Sequence, residues 1–120
     1  MKQERRGAPR ILEQLSFSLT DGGGPITAET KNISTAGAYC LLDRFIAPMT
    51  KLQLDFLLPT MPKPARIRCA GVVVRAEPVA ATADRVAYHI AILFQEMPER
   101  DRAAIASFVR QRLAARTTPN

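Results

Sequence analysis

Arg5, Arg6 and Arg10 stand together in Arg5-Arg6-Gly7-Ala8-Pro9-Arg10, just ahead of the first apolar alternation in the chain. Asn32, Ser34 and Gly37 stand in Asn32-Ile33-Ser34-Thr35-Ala36-Gly37, at a turn between two strand patterns. Neither stretch is apolar enough to hold up a core. A guanidinium is a planar fork that donates two hydrogen bonds to guanine O6 and N7, stacks on a purine face and pairs with phosphate. Gly7, Ala8 and Pro9 do not favour a continuous helix, so Arg6 and Arg10 can approach one ligand from different sides. Asn32 can donate to or accept from a base edge or a main-chain group. Ser34 offers a hydroxyl to phosphate or to the turn itself, and Gly37 admits main chain where a Cβ would clash. These groups suit the recognition of a guanine-bearing phosphate ligand.

Taken singly, each stretch has an ordinary explanation. The arginines would pass for a solvated basic tail, and the Asn-Ser-Gly stretch for an Asx or Ser/Thr turn. Their combination is more specific. RxxxR (Arg6, Arg10) followed by [DN]xSxxG (Asn32, Ser34, Gly37) resembles the PilZ domain family. The resemblance covers nearly the whole chain, and Gly71 sits where such domains often carry a glycine before a Val-rich strand. It implies a receptor for the bacterial second messenger cyclic di-GMP, with Arg5, Arg6, Arg10, Asn32, Ser34 and Gly37 binding the ligand. It implies no catalytic residue, metal or cofactor. Many members carry Asp at the Asn32 position, where a carboxylate accepts from guanine N1 and N2 with charge assistance. Asn32 therefore implies weaker binding. Arg5, a third guanidinium ahead of the motif, favours capture of a stacked, intercalated ligand pair.

The elements that must position these residues follow from periodicity. Residues 1–10 are polar and read as a flexible basic arm. Leu15, Phe17 and Leu19 alternate with Gln14, Ser16 and Ser18, which predicts one half-buried strand from Ile11 to Leu19. Asp21-Gly22-Gly23-Gly24-Pro25 breaks it into a hairpin turn. A second strand runs through about Ile33 and a third from about Ala38 to Leu42. Leu52, Leu54, Phe56 and Leu58 form a fourth, ending in the proline-rich loop 59–64. Ile67 and Cys69 alternate up to Gly71, where the unbroken Val72-Val73-Val74 begins, so a bulge or tight bend is expected at the glycine. Val86, Tyr88, Ile90, Ile92 and Phe94 give the clearest period of two. From Pro98 the period becomes helical: Ile105, Phe108, Val109, Arg112 and Leu113 share a stripe, with the Arg112 stem expected along the apolar face.

The fold class expected is mostly β: a six-stranded antiparallel β-barrel over residues 11–97, an amphipathic C-terminal α-helix over 98–116 and a disordered tail at 117–120. At 120 residues one domain with one core is expected. The net charge of +6 divides into +3 on residues 1–10 and +3 on 99–120, with zero between. A nucleic-acid duplex more often meets a basic stripe along a folded face. With seven aromatics, no Trp, and Phe17, Phe56, Tyr88 and Phe94 on the inward parity, a single-stranded nucleic-acid barrel is the lesser alternative. No DNA or RNA partner is expected.

Cys40 and Cys69 lie in apolar strand contexts and read as small buried hydrophobes. His89, the sole histidine, falls opposite the apolar row, and the sequence has no Walker loop or nucleophile elbow, so no enzyme is expected. No apolar run reaches the ~20 residues of a transmembrane helix, and the N-terminus lacks the apolar stretch of a secretory signal. A cytoplasmic protein is expected. With no room for an output domain, it would signal to a separate, unidentified downstream protein. A PilZ-like adaptor that has lost the nucleotide is the other alternative.

Overall fold

A computed structural model of the chain describes residues 10–79 and 86–117. Seven strands appear among them: β1 Ile11–Leu12, β2 Ser16–Thr20, β3 Ile26–Ile33, β4 Gly37–Leu42, β5 Lys51–Leu58, β6 Ala65–Pro78 and β7 Tyr88–Gln95. One helix follows, α1 Glu99–Thr117. All pairings are antiparallel, in the order β3-β2-β5-β6-β7-β4, and β4 returns to β3. The sheet thereby closes into a six-stranded barrel, leaving its long strands without an open edge. The two-residue β1 adds to β3 beyond β2, pairing Ile11 with Ile33 and Leu12 with Asn32.

Alternate side chains point inward, as period two requires. Phe17, Leu19, Leu52, Leu54, Phe56, Ile67, Ile90, Ile92 and Phe94 are buried in one core. Phe17 stacks on its register partner Phe56 at 3.9 Å between centroids, and Phe56 lies 6.1 Å from Phe94. Tyr88 joins the expected row at its rim: half-buried, it packs against the core while its ring meets the exposed Phe45 edge-on at 5.7 Å. Both cysteines are buried and free, and burial pushes the Cys40 thiol up to about 12, so it stays a neutral hydrophobe.

The expected single strand from Ile11 to Leu19 is two strands. The fully buried Thr30 on β3 holds the break between them: its Oγ1 accepts from Leu15 N at 2.9 Å and donates to the Glu13 carbonyl at 2.7 Å. One hydroxyl thus satisfies main chain that would otherwise lose its ladder partners. The expected bulge at Gly71 also moves. Gly71 is a close-packing site, where a Cβ would crowd the side chains of Ile92 and Leu54. The register shift falls at Val73/Arg75, and it turns Val74 out to solvent.

Pro98 opens α1, its carbonyl accepting from the N–H groups of Asp101 and Arg102 at 3.0 Å each. The buried Asp101 sits in the first turn, where the helix dipole favours an anion. Ile105, Phe108 and Val109 enter the core as their stripe predicts. Arg112 lays its guanidinium over its own Phe108 ring at 4.7 Å and bonds Glu13 at 3.3 Å, tying the helix to the break after β1.

A tight turn precedes β5. Thr50 N donates to the Ala47 carbonyl, Met49 N donates to the Val73 carbonyl and Val73 N donates to the Thr50 carbonyl. That is a bulge whose first residue normally needs glycine, yet Met49 occupies it at φ 78° with its side chain largely exposed. Left-handed backbone costs a residue with a Cβ roughly 1–2 kcal/mol, and extra chain freedom in the unfolded state returns roughly half of that for glycine. Met49→Gly should therefore stabilise the fold by about 0.5–1 kcal/mol in denaturant titrations. Lower stability would show that Met49 makes contacts worth more than its strain.

Candidate functional site

Arg10 is the first described residue. The chain after it is anchored by the buried Ile11, which pairs with Ile33. This fixes Arg10 beside β3, where its Nη1 donates to Asn32 Oδ1 at 2.7 Å. The two sequence motifs therefore meet through a hydrogen bond between Arg10 and Asn32, 22 residues apart. Arg5 and Arg6 lie outside the described residues.

Register extends the site across the outer wall of the barrel. Asn32 on β3 pairs with Tyr39 on β4, Tyr39 with Ala91 on β7, and Ala91 with Arg75 on β6. These side chains form one row over four neighbouring strands. Ala91, the smallest, leaves a depression between Tyr39 and Arg75. Arg75 Nη1 reaches the Tyr39 hydroxyl at 3.4 Å and the Glu77 carboxylate at 4.0 Å. The cleft measures about 580 Å³ and is lined by Arg10, Asn32, Tyr39, Val74, Arg75 and Ala91. Among the described residues two guanidiniums, an amide and a phenol line it, and the nearest carboxylate to Arg75, Glu77, stands outside that lining, so the described lining favours an anion with aromatic or apolar faces.

Tyr39 and Arg75 were not picked out from the sequence. Tyr39 alternates with Ala38 and Cys40, and Arg75 directly follows a valine run. Those cues become informative only when the register puts both residues beside Asn32.

Ser34 and Gly37 sit differently. Ser34 is fully buried, and its Oγ accepts from Ala36 N at 3.0 Å. Of the two roles open to it, it fills the turn role. Ser34 N also donates to the Gly37 carbonyl at 2.9 Å, which closes the turn between β3 and β4. A Cβ on Gly37 would run into the Ile92 carbonyl on β7. The residue thus lets β4 and β7 approach, and the main chain it admits belongs to the protein itself. Arg102 of α1 donates to the Thr35 carbonyl at 3.0 Å, and Phe94 N donates to the Ala36 carbonyl at 2.8 Å. Helix and last strand together hold the turn that follows Asn32.

On the far wall, Arg66 grips Asp55 with two bonds of 3.0 and 2.8 Å, and that grip holds the Asp55 carboxyl below its usual range. A depression of about 420 Å³ lies there, but among the described residues lining it the charged pair Asp55 and Arg66 is already engaged, with Arg68 also 3.4 Å from Asp55. Among the described residues no group of three or more His, Cys, Asp or Glu could hold a metal ion.

The family model for the PilZ domain matches residues 4–111. The chain belongs to the PilZ domain family. Solved structures place this PilZ domain among similar barrels. It resembles the Bacillus subtilis inhibitor of motility (MotI/DgrA) with a TM-score of 0.82 at 18% identity, covering 97% of this chain and 55% of that one. The K. pneumonia MrkH–c-di-GMP complex matches with a TM-score of 0.69 at 17% identity, covering 97% and 57%. The PilZ domain of YcgR from Escherichia coli with c-di-GMP matches with a TM-score of 0.65 at 13% identity, covering 96% and 100%. The chain spans little more than half the length of MotI and MrkH. No curated protein matches the chain. No helix among the described residues is long and apolar enough to cross a membrane.

Proposed function

We propose that this PilZ domain is a receptor for cyclic di-GMP, held on the outer wall of the barrel over Asn32, Tyr39, Ala91 and Arg75. The observation that carries this reading is the Arg10–Asn32 hydrogen bond, which joins the two motifs at the edge of a cleft whose described lining holds two cations and no acid. Arg10 and Arg75 supply forks for phosphate or guanine O6 and N7, and the Tyr39 ring offers a stacking face. Arg6, four residues before Arg10, closes on the ligand from the arm. Arg5 adds a cation for a second, intercalated nucleotide. Ser34 and Gly37 contribute by shaping the turn that presents Asn32.

In this reading the ligand ties residues 1–9 to the barrel, and the ordered surface docks a separate protein partner. No step of bond-making is involved, so the domain acts as a receptor and not as an enzyme. Calorimetry on nucleotide-free, folded protein tests the reading: cyclic di-GMP should give saturable heat and GTP should not. A stoichiometry of two ligands per chain supports the intercalated pair, and one ligand rejects it. Flat heats at millimolar cyclic di-GMP would sink the receptor reading itself.

A further inference from the structure

Asn32 stands where a carboxylate would commit the site to guanine, and its one described partner determines what it shows the ligand. Arg10 Nη1 donates to Oδ1 at 2.7 Å, which orients the side-chain amide with oxygen toward Arg10. Two groups remain for a base: the Nδ2 donors and the second lone pair of Oδ1. A carboxylate only accepts. It takes guanine through the N1 and N2 hydrogens, and it meets adenine with repulsion from the N1 or N7 lone pair beside the amino group. An amide donates and accepts side by side. It can pair with guanine through O6 and the N1 hydrogen, or with adenine through N7 or N1 and the N6 amino group.

We propose that Asn32 relaxes base selection, so that the site accepts a cyclic dinucleotide in which one of the two purines is adenine. The inference rests on the receptor reading above. The second purine stays restricted to guanine. Arg10 and Arg75 line the cleft, and an arginine fork that grips O6 and N7 meets the N6 amino group of adenine donor against donor. Selection thus divides between an amide that tolerates both purines and guanidiniums that tolerate one.

The test compares cyclic di-GMP, 3′,3′-cyclic GMP-AMP and cyclic di-AMP by calorimetry on the wild-type chain and on Asn32→Asp. The substitution keeps the shape and leaves Arg10 an oxygen to bond, and a melting curve checks that the variant is folded. The wild type should bind the mixed nucleotide within about tenfold of cyclic di-GMP, with cyclic di-AMP far weaker. Asn32→Asp should widen the gap between the first two by about 5- to 150-fold, the value of one two-bond base contact. Cyclic di-GMP binding with the mixed nucleotide over a hundredfold weaker on the wild type would overturn the proposal. So would an unchanged gap in Asn32→Asp. Heat from the mixed nucleotide but none from cyclic di-GMP would uphold an adenine-tolerant site and overturn the receptor reading as stated. Heat from none of the three would overturn both.

Discussion

Arg10→Ala lowers the affinity for cyclic di-GMP by about 5- to 150-fold and leaves the melting temperature nearly unchanged. The factor is that of one bidentate contact between a guanidinium and guanine, about 1–3 kcal/mol, converted at 1.4 kcal/mol per decade. Arg10 is exposed and precedes β1, so its loss empties no core volume. Its hydrogen bond to Asn32 lies at the barrel surface, where such polar pairs contribute little to stability. Calorimetry reads the first effect and thermal unfolding the second. Arg6→Ala should lose affinity on the same scale, since the motif pairs the two arginines. A loss below twofold in both variants would remove the motif from the binding site. A fall of many degrees in the Arg10 variant would instead mark a structural arginine.

The second large effect is on stability. Gly37→Ala should destabilise the domain by about 3 kcal/mol, the upper part of the usual cost of overpacking a filled site. The new methyl would meet the Ile92 carbonyl, part of a strand whose neighbouring side chains Ile90 and Phe94 are buried. Backbone within a closed ladder cannot step aside as a side-chain tip can. Gly37 pairs with Leu93 and begins β4, so the β4–β7 seam would have to open. For a domain of this size the melting temperature should fall by roughly 10–15 °C. Ligand at saturating concentration should still bind the folded fraction, because Gly37 is pressed against β7 and does not line the cleft. A Gly37→Ala protein with full stability and lost affinity would reverse this assignment and put the residue against the ligand.

The fold divides a motif that reads as one unit in the sequence. Asn32 faces the cleft, Ser34 caps a buried turn and Gly37 closes a strand seam. Their spacing serves these separate tasks. Asn32 and Ser34 lie on either side of the buried Ile33, and three residues of turn bring the chain back as β4. Arg102 and Phe94 hold that turn from opposite sides, so the orientation of Asn32 is supported by the helix and the last strand together.

Much of this was legible in the chain itself. Alternation of Leu52, Leu54, Phe56 and Leu58, and of Ile90, Ile92 and Phe94, depends on neighbours two residues apart. The stripe Ile105, Phe108, Val109 depends on neighbours three and four apart. Such short-range patterns specify element type, and with the two polar motifs they led to the family and its barrel. What tertiary structure alone decided was lateral. That Tyr39 and Arg75 stand in line with Asn32 depends on the register of four strands and on a bulge at Val74, set by barrel closure between strand partners as far apart in the chain as Gly37 and Leu93. The break after Leu12 likewise depends on Thr30, a residue from another strand whose hydroxyl replaces missing ladder bonds. Local sequence records which face each side chain takes, because that is set by the chain's own period. Which side chains become neighbours across the wall is set by strand pairing, and pairing is an energy of the closed barrel as a whole.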